Sequence, residues 1–270
     1  MRLVPLATLP AACALWLPVV HAQASVASGI RVSSFVVDTA WRSEMPAMYS
    51  AAPLSRPRSM LLTRTAPHFV RVSAVAIGAS AVLSLADAPM MREVAKLRST
   101  NGSGRGTSVL VASLGGIVPL SVGSLMWAGG ALSHNDAIQN LGVESTQAVL
   151  LSGALTIGIK GLIGRSRPNA APDDPDQFSP GRGFFDASRA SFPSGHTSAA
   201  FAIATVLSRE LSARYPGPRW LIRGALYGAA GSVGLARVYQ NVHWPSDILT
   251  GATLGTLSGL QALSWHREGR

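Results

Sequence analysis

The groups able to do chemistry lie in three short stretches of the second half of the chain. Six residues separate Lys160 from Arg167 and its neighbour Pro168. Pro193, Ser194, Gly195 and His196 run consecutively. Five residues separate Arg237 from His243, and three separate His243 from Asp247. Each stretch sits at the end of an apolar segment rich in small residues. Brought together, three cations, two imidazoles and one carboxylate would surround one small anion. Phosphoryl transfer needs such a set, because its transition state spreads negative charge over three equatorial oxygens.

Each group suits a part of that task. Arg167 and Arg237 can grip oxygens with two prongs, whereas Lys160 acts as a point charge. Pro168 is expected to end the helix behind Arg167. Arg165, on a continuing helix, would face another direction and reads as a loop or surface charge. Ser194 is a good N-cap, and Gly195 lets an anion approach the N–H groups of the helix that follows. His196 would stand at the anion's edge, in reach of a leaving oxygen. The same residues also suit an ordinary cap with a surface histidine. Asp247, four residues after His243 in a helix start led by Pro245, can reach one imidazole nitrogen and leave the other free to attack. A capping Asp beside a structural His fits that pair equally well. Tyr239 and Trp244 read as packing or interfacial residues. Asp173, Asp174 and Asp176 read as a solvated loop, because their spacing lacks a calcium-loop pattern.

The elements that must carry these groups are helical. Apolar segments cover Phe69 to Ala86, Gly106 to Asn135, Ser145 to Ile159, His196 to Leu207, Leu221 to Ala236 and Ile248 to Trp265. Met90 to Arg98 adds an amphipathic surface helix. No strand-like alternation persists, so the fold class is all-α, with six helical segments. The run from Gly106 to Asn135 has no charged residue and is long enough to cross a bilayer, with Pro119 and paired glycines to bend it. Residues 69–266 read as the helical domain. Residues 1–24 read as a signal peptide, with Arg2, an apolar run and Ala22-Gln23-Ala24 as the cleavage site. Residues 25–68 read as a poorly ordered lead-in.

Composition narrows the function classes. The chain has 270 residues, 47% of them hydrophobic, and a formal net charge of +10. Its only cysteine, Cys13, lies in the leader, which excludes disulfides and thiolate chemistry from a mature chain. The basic residues are scattered, with no basic helix or aromatic-basic stripe, so nucleic acid is not the expected partner. An anionic substrate or membrane surface is.

Taken together, the three stretches resemble the type 2 phosphatidic acid phosphatase superfamily, which also includes bacterial class A acid phosphatases and vanadium haloperoxidases. The family pattern is Lys, six residues, Arg-Pro; then Pro-Ser-Gly-His; then Ser-Arg, five residues, His, three residues, Asp. One position departs, since Ala236 replaces the usual Ser before Arg237 and removes a hydroxyl there. The resemblance covers roughly Ser145 to Ala262. It implies a six-helix bundle, membrane-embedded or membrane-associated. It implies that His243 attacks phosphorus to form a phosphohistidine and that Asp247 orients it. It implies that His196 protonates the departing oxygen and then activates water. Lys160, Arg167, Ser194, Gly195 and Arg237 would hold the phosphoryl oxygens. No metal and no cofactor are implied.

The expected activity is therefore phosphatase action on a lipid phosphate or diphosphate at the cell envelope. A soluble periplasmic acid phosphatase is the second reading, and a vanadate-dependent haloperoxidase a third. Two topological arguments oppose each other. A cleaved leader with six spanning segments would put the loop after the third helix inside. An exported site requires it outside, facing the periplasm. The charges of Arg92, Lys96, Arg98 and Arg105 favour the loop after the first segment lying inside.

Overall fold

The computed structural model describes residues 66–100 and 104–268. The expected leader, most of the lead-in and residues 101–103 lie outside the described residues. Eight α-helices fill the rest: α1 (Ala66–Ser84), α2 (Asp87–Thr100), α3 (Gly104–Ser113), α4 (Val118–Leu132), α5 (Asp136–Ile163), α6 (Gly195–Arg214), α7 (Arg219–Tyr239) and α8 (Pro245–Glu268). Two 3-10 turns, Arg182–Phe184 and Ala187–Arg189, punctuate the long loop between α5 and α6. A single isolated bridge, between Arg165 and Phe178, is the nearest thing to a strand among the described residues. The fold is all-α.

The count differs from the six expected segments for local reasons. The amphipathic stretch forms its own helix, α2, at 62° to α1. The uncharged run beginning at Gly106 is two helices, α3 and α4, bent by 40°. Gly115 and Gly116 lie in the turn between them, and Pro119 opens α4 without losing a needed donor.

The ends of α5 and α6 follow from single residues. Asn135 caps α5 by accepting from the Ile138 N–H at 3.2 Å, an arrangement that contributes about 1 kcal/mol. Gly164 ends α5 in the left-handed region, at φ 64°, where a side chain would strain the backbone. The helix therefore stops four residues before Pro168, not at it. Ser194 caps α6, accepting from Thr197.

Helix α6 is the centre of the bundle. It packs against α8, α5 and α7, while α5 also packs on α4 and α8. Its buried residues, among them Thr197, Ser198, Ala202, Thr205, Val206 and Ser208, occupy every face. Ala148, Val149, Ala202, Ile203, Val206, Ala262 and Leu263 form one core cluster. Ala200, Ala204, Ala230 and Val233 form another. Such small side chains bury little area each, so close backbone approach and dispersion carry the cohesion. At Gly255 a Cβ would collide with the Ser198 carbonyl oxygen, which is how near α8 comes to α6.

Many large apolar side chains are exposed. Val75, Ile77, Leu110, Leu125, Leu132, Ile157 and Leu162 all face outward and are exposed. Helix α5 has 28 residues and is long and apolar enough to cross a membrane by length and composition. At about 1.5 Å per residue it reaches roughly 42 Å, against about 30 Å of hydrocarbon. Each bent pair, α1 with α2 and α3 with α4, adds a further candidate span if it crosses as one.

Candidate active site

The three basic stretches lie beside one another at one end of α5, α6, α7 and α8. The first meets the second through Lys160, whose Nζ donates to the carbonyl oxygens of Ala190 at 2.5 Å and Ser191 at 3.1 Å. The Ser191 N–H donates to the Arg165 carbonyl, and the Arg167 N–H to that of Ser188. The second meets the third where the Ser194 N–H donates to the Asp247 carbonyl at 3.0 Å. The first meets the third where the Asn169 N–H donates to the Asn241 carbonyl at 3.1 Å. Asn241 takes a positive φ of 63°, which asparagine tolerates better than most residues, and this turns the chain from α7 toward His243.

The cations are held by carbonyl groups with donors to spare. Arg167 donates from Nε to the Ala187 carbonyl at 2.8 Å and, at longer range, from Nη1 to Val242 and Nη2 to Ala190. That engages three of its five N–H groups. Arg237 donates from Nη1 to Gln240 Oε1 at 2.7 Å, while its buried Nε has no partner among the described residues. Lys160 is beside the start of α6: a Cβ placed on Gly195 would lie 3.8 Å from Lys160 Cε and 3.3 Å from Thr156 Cγ2. Ser194 has its hydroxyl committed within the helix start, 2.9 Å from Thr197 Oγ1.

The histidines feel these charges. Burial, then Arg237, Lys160 and Arg167, push the His196 ring down to about 4. Burial is also the main reason that His243 is pushed down to about 3. Asp247 pulls His243 the other way, and Lys160 and Arg167 add to the depression. A phosphoryl group among the same cations would oppose these shifts, because its charge favours the protonated rings. His243 Nδ1 lies 3.4 Å from Asp247 Oδ2, too far for a well-directed hydrogen bond, and no other group among the described residues partners it. Burial raises the Asp247 carboxyl, but the His243 ring, the Arg165 charge and the Ser191 hydroxyl outweigh it and hold the group below its ordinary value.

Hydrogen bonds and mutual charge effects bring Lys160, Arg167, Ser194, Gly195, His196, Arg237, His243 and Asp247 to one end of the bundle. Arg165 corrects the reading from sequence. It is 2% exposed, not a surface charge, and its Nη1 donates to Asp247 Oδ1 at 2.7 Å. Its Nη2 donates to Asp87 Oδ2 at 2.8 Å. The helical-face argument fails for Arg165 because α5 has already ended at Gly164. Removing one member of such a buried pair costs on the order of 3–5 kcal/mol, since the other charge is left uncompensated. Asp87, Ser191 and Ser246 also belong to this buried set and carry no motif. Ser191 Oγ donates to Asp247 Oδ2 at 2.6 Å, and the Trp244 N–H donates to the same oxygen at 2.9 Å. The only signal in the sequence was a lone Asp at the joint of an apolar segment and a surface helix. Asp173, Asp174 and Asp176 are exposed loop residues, and Trp244 is fully buried with its Nε1 donating to the Ser166 carbonyl, as expected of packing.

The sequence model of the PAP2 superfamily matches residues 143–270, just under half of the chain. Residues 143–270 are similar to the PAP2 superfamily. Two curated relatives are similar to part of this chain. A lipid A 1-phosphatase from Porphyromonas gingivalis is 30% identical over 143 residues, which is 53% of this chain and 28% of the relative. Lipid phosphate phosphatase 1 from Arabidopsis thaliana is 35% identical over 130 residues, 41% of this chain and 39% of the relative. The match thus spans well under half the length of either. Among solved structures, a transmembrane PAP2 type phosphatidylglycerolphosphate phosphatase from Bacillus subtilis aligns with a TM-score of 0.51 at 24% identity. That alignment covers 76% of this chain and 94% of the other, so the PAP2 fold takes in helices before residue 143 as well. All three motifs lie inside the PAP2 match, whereas Asp87 lies outside it.

Proposed function

We propose that the protein is a lipid phosphate phosphatase of the cell envelope that works without metal through a phosphohistidine on His243. The observation that carries this reading is the convergence of Lys160, Arg167, Arg237, His196 and the His243–Asp247 pair on one small volume. In the first step His243 Nε2 attacks phosphorus and the P–O bond to the leaving oxygen breaks. His196 gives that oxygen its proton. In the second step water attacks phosphorus, His196 takes the water's proton, and the P–N bond breaks to free phosphate and His243. Lys160, Arg167, Arg237 and the Gly195 N–H stabilise the three equatorial oxygens throughout, which is the role a metal has in other phosphoryl-transfer enzymes.

The lipid character of the substrate is supported by the exposed apolar side chains, the candidate spans and the names of the two relatives. A phosphatidate, phosphatidylglycerophosphate, polyprenyl diphosphate or lipid A phosphate has a tail that such a surface would admit. An exported protein, with its site facing the periplasm, would meet these lipids after cleavage of the 1–24 leader.

The test is phosphate release by the purified chain from lipid and water-soluble phosphoesters, with and without EDTA. Release from lipid substrates should be undiminished by EDTA. Strict dependence on an added divalent metal would contradict the mechanism. Preference for small water-soluble esters, with the protein in the aqueous fraction, would support a periplasmic acid phosphatase instead. Halide oxidation with vanadate and peroxide, without phosphatase activity, would identify a haloperoxidase. Arg167→Lys keeps the charge but loses the fork. It should lower kcat/KM by about 10²-fold, roughly the 2.7 kcal/mol of one transition-state donor pair. A steady-state comparison with the parent checks it.

A further inference from the structure

We propose that Arg165 and Asp87 act together as a positioning pair that holds the Asp247 carboxylate in register with His243. The inference rests on the phosphohistidine reading, and Asp87 brings into it a part of the chain that no motif covers. Asp87 is in the first turn of α2 and is fully buried, as is Asp247. A carboxylate in that setting is tolerated only when paired. Here one guanidinium pairs two of them. The Arg165 fork spans from Asp247 Oδ1 to Asp87 Oδ2, and its Nε donates to the Pro175 carbonyl at 2.8 Å. The guanidinium carbon lies 5.5 Å from the Trp244 ring centre and 5.7 Å from that of Phe178, which fixes its plane.

Ser246 closes the set. Its N–H donates to Asp87 Oδ1 at 2.9 Å, and its hydroxyl donates to Asp87 Oδ2 while accepting from Arg165 Nη1 at 2.8 Å. Ser246 immediately precedes Asp247, so Asp87 grips the first turn of the helix that carries the catalytic carboxylate. With Oδ1 of Asp247 occupied by Arg165, only Oδ2 is turned toward His243 Nδ1. Rotating the carboxylate would break its contacts with Arg165, Ser191 and Trp244 at once.

The second consequence is one of charge. Arg165 alone would neutralise Asp247. Asp87 shares the guanidinium, so the three groups together keep one net negative charge beside the ring. His243 becomes cationic as it attacks phosphorus, and that remaining charge stabilises it. Asp247 also feels Lys160 of α5 and Arg167 of the following loop, besides Arg165, His243 and Ser191.

The test compares Asp87→Asn, Arg165→Lys and Arg165→Met with the parent, as full chains in detergent, on a lipid phosphate. Asp87→Asn should keep KM within about threefold and lower kcat by about 10²-fold, the usual cost of a misplaced reacting group. Arg165→Met should move the acid limb of the rate profile to higher pH, because Asp247 then protonates more readily. Arg165→Lys should retain more activity than Arg165→Met. A folded Asp87→Asn protein with the parent's kcat and pH profile would overturn the proposal. So would a rate loss that merely tracks the folded fraction, measured by thermal unfolding. A second readout is ¹⁵N-histidine NMR of the His243 ring in the presence of inorganic phosphate. The Asp87→Asn change should alter its tautomer or titration, and an unchanged ring would sink the pair. If the parent itself releases no phosphate from any ester, the proposed function fails, and the ring measurement alone then decides the positioning role.

Discussion

His243→Ala is expected to abolish phosphate release, with a loss on the order of 10⁴-fold or more, as for other enzymes deprived of their nucleophile. The alanine removes the atom proposed to bond to phosphorus. His196 sits among the cations at the start of α6 and is assigned the proton transfer. The loss should appear in kcat with substrate binding kept, because Lys160, Arg167 and Arg237 remain in place. The measurement is twofold: phosphate release, and acid-quench trapping of a labile phosphorylated protein from labelled substrate. The parent should show the trapped label, and His243→Ala should not. A parent that turns over substrate with no trappable intermediate would remove the covalent route and leave direct attack by water.

His196→Ala is expected to cost about 10²- to 10⁴-fold, the range for loss of a general acid or base. The size should depend on the leaving group. An alkoxide needs the proton assigned to His196, whereas a weakly basic aryl oxide departs without it. On an aryl phosphate the variant should therefore give a burst of about one equivalent of product and then stall, because water still lacks its base. The pH dependence has a definite sign. Burial and then Arg237, Lys160 and Arg167 push His196 down to about 4, and substrate charge raises it in the complex. The proton must be present for the first step with an alkyl ester. Hence kcat should fall as pH rises above the pKa of His196 in the complex, and that alkaline limb should flatten in His196→Ala. An unchanged limb in the variant would assign it to another group.

Much of the site was legible because its chemistry is local. Ser194 caps α6 and Pro245 opens α8 as the residue types predict, and both facts depend only on short-range hydrogen bonds and φ preferences. Fixed spacing then sets Gly195, His196 and Asp247 at helix starts, where an anion is welcome. Helix ends were less legible. Pro168 looked like the stop of α5, but Gly164 had already turned the chain through a left-handed residue. That shift of four residues explains why Arg165 was misread. An argument from helical faces says nothing about a side chain that lies past the helix.

By itself, the sequence determined an all-helical chain, three motifs at set spacings and the kind of ion they would attract. Helix propensity, capping and residue chemistry act within a few positions, so they can be read along the chain. Only the tertiary structure decided that Arg165 is buried, that Asp87 is its second partner and that Asp247 turns Oδ2, not Oδ1, toward His243. Those facts arise from groups 78 and 82 residues apart meeting where water is excluded, and the energy of a buried charge depends on which partner the fold delivers to it.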